Sequence, residues 1–149
     1  TRFADKDAYF ESLASGWVAQ RTEQRIRDLE SLGKDEDYFA HVVLDTYRVT
    51  LENQHFWRAA LLRGAAHPEF WTPFRELGLR VMGMVLQLRE SQLRRPLTSE
   101  EARHIRFAFQ MANGLINNSI VNRPGPILPG TTEFEIELVR GLKAVAGVA

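Results

Sequence analysis

The stretch from residue 97 to residue 147 constrains the fold most, because its pattern is typical of two apolar helices joined by a non-helical loop. Thr98 and Glu101 form a capping box, in which each side chain accepts a hydrogen bond from the other residue's backbone amide. Downstream of this helix start, residues at spacings of three and four define two faces. The first stripe is Ala102, Ile105, Phe109, Ala112, Ile116 and Ile120, and the second is Phe107, Met111, Leu115 and Ser119. A chain this short offers one neighbouring layer, so we expect the second face to pack against another copy of the molecule.

The loop and the last helix complete this unit. RPGPILPG at 123–130 holds three prolines and two glycines, a composition typical of a loop. We expect the two helices to pair across a two-fold axis as a four-helix dimer interface, since two-fold symmetry is the commonest in oligomers. The predicted interface residues are Phe109, Ile116, Ile120, Phe134, Leu138, Leu142 and Val145. The sequence leaves open which stripe of the first of these helices faces the mate.

Length and composition limit the class of protein. The 149 residues fit one domain spanning 1–149, and the absence of cysteine excludes thiolate zinc sites and a disulfide framework. Nineteen basic and nineteen acidic side chains cancel, so the chain has no net field to hold nucleic acid by itself. No apolar run reaches the roughly 20 residues of a membrane span. We therefore expect a cytoplasmic protein without membrane contact, and the initial Thr1 predicts a fragment or processed product.

The rest of the chain also has helical periodicity. A first helix is predicted from Asp5 to Leu32, and a short apolar helix ends at Gly64. Between them, a second helix is predicted with an acidic start at 35–37 and an apolar stripe from Phe39 to Leu51. Pro68 is predicted to begin a fourth helix, which Pro96 ends. Because no segment has useful strand alternation, the fold class predicted is all-α with about six helices.

Two Glu-x-x-His pairs, Glu52/His55 and Glu101/His104, raise the alternative of a helical metal enzyme. Ferritin-like di-iron bundles combine two such pairs with one glutamate from each of two other helices. However, Glu101 already serves as a helix cap, and Glu52 lies where the helical pattern breaks. We therefore predict no metal, no cofactor and no catalytic residue, and keep the di-iron enzyme as the alternative function.

Aromatic residues concentrate in HFWRAALL at 55–62 and PEFWTPF at 68–74, and such side chains line small-molecule pockets. Methionines adapt the walls of such pockets. Asn113 stands out as an amide within an apolar run, which needs a partner if it is buried. The predicted ligand-binding residues are Tyr47, Phe56, Trp57, Phe74, Met82, Met84, Phe107, Met111 and Asn113.

The segment RFADKDAYFESL at 2–13, with Phe3, Lys6 and Tyr9 or Phe10, resembles the sequence that follows the recognition helix in TetR-family transcriptional regulators. The order and length of the later helices are similar to that family over essentially the whole chain. The resemblance implies an effector-binding domain that dimerises through its last two helices. It also implies a small apolar or amphipathic effector, and no enzymatic activity. Residues 1–17 would be the remnant of a connection to an N-terminal helix-turn-helix, through which alone operator DNA is bound.

Overall fold

The protein is a bundle of six α-helices, as the computed structural model describes it for residues 2–33 and 37–148, without the side chains of residues 2–5 and 7. The helices are α1 (Arg2–Ser31), α2 (Tyr38–Glu52), α3 (Gln54–Ala66), α4 (Thr72–Leu93), α5 (Ser99–Asn122) and α6 (Thr132–Ala146). No strand occurs in these ranges, and the predicted all-α class with about six helices is confirmed. No helix within the same ranges is long and apolar enough to cross a membrane.

The predicted capping box at the start of α5 is present. Thr98 Oγ1 accepts from the Glu101 amide at 3.1 Å, and Glu101 Oε2 accepts from the Thr98 amide at 2.8 Å. The Arg95 guanidinium also donates to both Glu101 carboxylate oxygens, at 2.7 and 2.9 Å. These bonds from Arg95 and Thr98 lower the pKa of Glu101 from 4.5 to about 2. Glu101 therefore stays ionised and fixes the start of α5.

The fourth helix begins later than the sequence predicts. Pro68 opens a short 3-10 helix, Pro68–Trp71, and α4 begins at Thr72. A proline inside an α-helix lacks the amide donor and clashes with the carbonyl four residues earlier. By starting at Thr72, α4 places Pro73 in its first turn, where no donor is needed. The 3-10 segment also carries Phe70 and Trp71 into contact with α3.

The main core lies where α2, α4, α5 and α6 meet. The α5 stripe through Ile105, Phe109 and Ile116 is buried here, and α5 packs most extensively against α6. Tyr47 stacks on Phe134 with ring centroids 4.9 Å apart, and its hydroxyl accepts from a loop amide, that of Gly130, at 2.7 Å. A second, aromatic cluster holds α1, α3 and the 3-10 segment together.

The two stripes of α5 have different environments. The first stripe faces α2 and α6 within the chain, whereas Phe107, Met111 and Leu115 of the second are 54%, 48% and 48% exposed. Ser119, the fourth predicted member of the second stripe, is buried. Most of the predicted interface residues belong to the chain's own core and have no surface left for a second copy: Phe109, Ile116, Ile120, Phe134, Leu138 and Leu142, all at most 5% exposed. Val145 alone of that set is partly exposed, at 36%. A dimer contact through α5 is therefore left to the second stripe.

Candidate ligand-binding cavity

A cavity of about 530 Å³ opens between α1, α2, α4 and α5, where the main core and the aromatic cluster meet. This volume lies in the range of small-molecule sites, roughly 300–1,000 Å³. The lining is mostly apolar and aromatic with a few polar groups. It comprises Trp17, Arg21, Arg25, Val42, Thr46, Val49, Thr50, Trp57, Trp71, Phe74, Arg75, Leu77, Gly78, Val81, Met82, Phe109, Asn113, Ile116 and Asn117.

Aromatic rings form one wall of the cavity, and all three tryptophans of the chain belong to it. Trp17 meets the edge of Trp57 at 5.4 Å between ring centroids, and Phe74 lies 5.3 Å from Trp57 and 5.2 Å from Trp71. Trp71 fits because Gly64 has no side chain: a Cβ built there would lie 1.7 Å from the indole Nε1. The wall therefore depends on a glycine in α3 and on the 3-10 segment before α4.

Arginines form the charged part of the lining, and Asp45, outside the lining, is an acceptor for two of them. Arg21 Nη2 and Arg25 Nε contact the same Asp45 oxygen, Oδ2, at 2.9 and 3.1 Å. Arg25 also donates to Thr46 Oγ1 at 2.6 Å. Burial lowers the pKa of Arg25, Asp45 opposes that shift and Arg21 adds to it. Two cations thus share one carboxylate at the edge of an apolar cavity.

Two buried donors of the lining have no acceptor in the part of the chain that the structure describes. Arg21 Nε and Trp57 Nε1 are shielded from solvent and unpaired there. Arg75 makes a single long bond, 3.3 Å to the Thr72 hydroxyl, and no ion pair with a described residue. Since most buried polar groups in proteins are hydrogen-bonded, these donors distinguish the cavity from an ordinary packing gap.

Four of the predicted ligand-binding residues line the cavity: Trp57, Phe74, Met82 and Asn113. Asn113 lies beside the buried stripe of α5 rather than within it, and its amide reaches the cavity edge together with that of Asn117, one turn later. The structure thus unites aromatic residues from α3 and α4 with a polar group from α5.

The other five predicted residues lie elsewhere. Tyr47 and Met84 pack in or against the main core, and Phe56 lies in the aromatic cluster at 5.5 Å from Phe10. Phe107 and Met111 belong to the exposed stripe of α5. Residue type alone predicted these five, whereas helix phase decides which side of a helix faces the cavity.

The arginines and Trp17 are the principal residues that the sequence predictions missed. Trp17, Arg21 and Arg25 are spaced four residues apart along one side of α1. On that helix the buried positions include Val18, Thr22 and Leu29, so Arg25 falls within a core-facing register. A charged residue in such a register was the available signal, because charge is rarely buried without a functional or pairing role.

The residues of the alternative metal site are not brought together. Glu52 and His55 are exposed around the α2–α3 junction, Glu101 is held by Arg95 and Thr98, and His104 lies 3.8 Å from Glu100. Residues 2–33 and 37–148 contain no group of three or more metal-ligating side chains. Comparisons with protein-family models, with curated proteins and with solved structures found no match.

Proposed function

We propose that this chain is the effector-sensing and dimerisation domain of a TetR-like transcriptional regulator, binding its effector without turnover. The observation that carries the proposal is the cavity beside α1, apolar over most of its surface and provided with unpaired donors. The resemblance of residues 2–13 to the segment after the family's recognition helix adds a second, independent argument. Operator DNA would be contacted by an N-terminal domain outside this sequence.

Helix α1 is suited to transmit occupancy of the cavity. Trp17, Arg21 and Arg25 of α1 line the cavity, and the same helix continues without a break to Arg2. At 1.5 Å per residue, Arg2 lies about 22 Å from Trp17 along the helix axis. A tilt of about 5° at Trp17 therefore displaces that end by about 2 Å. An effector that binds more tightly to one orientation of α1 shifts the population toward that orientation. This shift alters the spacing of the attached DNA-binding domains.

The dimer contact proposed here uses the exposed face of α5. Phe107, Met111 and Leu115 present a continuous apolar stripe there, and Val145 of α6 adds a partly exposed neighbour. The first stripe of α5, which includes Ile105, Phe109 and Ile116, remains within the chain's own core. The homodimer is then a four-helix contact between two α5–α6 pairs. Its contacts on α5 are Phe107, Met111 and Leu115 instead of the buried Phe109, Ile116 and Ile120.

Filling the cavity tests the sensing proposal. Gly78 lines the cavity, and a Cβ added there meets no atom within 4 Å, so Gly78→Phe places a ring into that space. Gly83, on the same helix, has equal room but lies outside the lining, so Gly83→Phe is the matched control. In a thermal-shift screen of apolar and amphipathic compounds, those that raise the Tm of the parent and of Gly83→Phe should not raise that of Gly78→Phe.

Two results of this screen would contradict the proposal. One is that no compound stabilises the parent protein. The other is that every stabilising compound acts equally on the Gly78→Phe variant, which would place binding outside the cavity. Chemical conversion of a bound compound, followed by mass spectrometry, would instead favour an enzyme.

A further inference from the structure

The charged residues in the cavity lining are all positive within the described ranges. They are Arg21, Arg25 and Arg75, and no acidic residue belongs to the lining in that part of the chain. Asp45 lies behind this surface and contacts both Arg21 and Arg25 through one oxygen. Asp28 also attracts Arg25, so the positive charge that faces this mostly apolar volume belongs mainly to Arg21 and Arg75. In such low-dielectric surroundings, an anion from the ligand is the group that balances it.

Two unpaired donors belong to the same cavity lining. Arg21 Nε and Trp57 Nε1 are each shielded from solvent and lack an acceptor among the described residues. A buried N–H without an acceptor destabilises the protein, and an acceptor that reaches it from the cavity removes that cost. Both groups donate, and neither can accept, so they favour a ligand oxygen over a ligand N–H. The Asn113 and Asn117 amides, at the α5 edge of the cavity, supply further hydrogen-bonding capacity.

The aromatic wall raises one competing ligand class. Cages of tryptophan rings recognise quaternary ammonium groups through cation–π attraction. Here the same volume carries three arginines and no lining carboxylate within the described residues, so a cation in it would meet repulsion from the arginines. The rings of Trp17, Trp57 and Phe74 instead offer apolar and stacking surface to an uncharged ligand body.

We infer that the effector is an amphipathic carboxylic acid, with its aromatic or alkyl body against the tryptophan wall and its carboxylate held by Arg21 and Arg75. This inference rests on the proposed sensing function and names the chemical class of its ligand. A carboxylate complements the positive charge that Arg21 and Arg75 present to the cavity. Arginine is also the side chain that binds carboxylates in bidentate geometry. Arg25 contacts both Asp45 and Thr46, so its guanidinium is more fully engaged within the chain than that of Arg21 or Arg75.

Matched ligand pairs test this inference by isothermal titration calorimetry. The probes are 4-phenylbutyrate, indole-3-butyrate and decanoate, each with its primary amide, together with phenyl phosphate and benzyltrimethylammonium. At least one acid should bind the parent protein ten or more times more tightly than its amide. Because the contact is ionic, the difference should shrink as salt is raised.

Two arginines of α4 give a matched pair of variants. Arg75 lines the cavity and is exposed, whereas Arg80, also exposed and on α4, does not line it. Arg75→Gln should weaken binding of the acid at least tenfold and leave binding of the amide unchanged, while Arg80→Gln should change neither. Trp57→Phe, which removes the indole donor and keeps a ring, should weaken the acid by a smaller factor.

The outcomes separate this inference from the proposed function. Equal binding of acid and amide, abolished for both by Gly78→Phe, would retain the sensing proposal and overturn the carboxylate. Tighter binding of benzyltrimethylammonium or of phenyl phosphate than of every acid would overturn it as well. If no probe and no compound of the wider screen bound the parent protein, both proposals would fall.

Discussion

The core beneath α5 and the cavity beside it share residues, since Phe109 and Ile116 belong to both. They differ in whether their buried polar groups are hydrogen-bonded. In the core, the buried Tyr47 hydroxyl has its partner in the loop amide of Gly130. In the cavity lining, Arg21 Nε and Trp57 Nε1 have none among the described residues. A filled core and a void with unpaired donors thus lie side by side. The difference indicates that one region stabilises the fold and that the other retains unfavourable features that a ligand can remove.

Truncating one leucine in each region should give the largest contrast in stability. Leu138 is 3% exposed in the core, whereas Leu77 is half-buried and faces the cavity. Leu138→Ala should lower the free energy of unfolding by about 3 kcal/mol, because the packed site cannot collapse around the lost atoms. Leu77→Ala should cost about 1 kcal/mol, since one side of that leucine already meets a void. Urea denaturation measures both, and equal losses would remove the distinction between core and cavity.

If the chain forms the proposed dimer, a charge on the exposed stripe of α5 should separate it without unfolding the chain. Met111→Glu should raise the dissociation constant of the dimer at least tenfold, or about 1.4 kcal/mol, because a carboxylate would be buried against the mate. Leu79, 74% exposed on α4, is the matched control, and Leu79→Glu should leave the dimer intact. Sedimentation velocity measures the oligomeric state. A dimeric Met111→Glu protein would show that α5 does not form the contact through this stripe.

The smallest predicted effect on stability concerns the start of α5, a helix that contributes residues to both the core and the cavity lining. Thr98→Ala should cost about 1 kcal/mol and lower the Tm by about 3 °C through loss of the cap. Glu101→Gln should also lower the Tm at pH 7, because Arg95 and Thr98 hold the pKa of Glu101 at about 2, below its ordinary 4.5. A depressed folded-state pKa gives stability that is present above pH 4.5 and lost as the pH falls through 2. The difference between parent and Glu101→Gln should therefore close between about pH 5 and pH 2. A pH-independent difference would rule out this ionic contribution.

The sequence predicts those features of the fold that depend on interactions between near neighbours in the chain. The all-α class and the Thr98 cap follow from periodicity and capping chemistry, which depend on near neighbours in the chain. The start of α4 does not, since Pro68 and Pro73 each fit a helix start and tertiary packing of Trp71 selects the second.

The cavity was only partly predictable, for a different physical reason. Trp57 and Phe74 were found by residue type, whereas Phe107 and Met111 have the same chemistry but a helix phase that points them outward. Arg21 was not predicted as a lining residue. It contacts Asp45, 24 residues away, and it borders a void that forms only when the helices pack. Which apolar residues surround a void is set by how helices pack, and a pattern along one helix does not contain that information.

Tryptophan fluorescence tests the central claim most directly, because all three tryptophans of the chain line the cavity. Titration of the parent protein with the acid that binds most tightly in calorimetry should change the emission in a saturable way, with the midpoint at the calorimetric dissociation constant. The change should be absent in Gly78→Phe and retained in Gly83→Phe. If the acid raised the Tm while the emission stayed constant in the parent protein, it would bind away from Trp17, Trp57 and Trp71, and the account of this cavity as the sensor site would be contradicted.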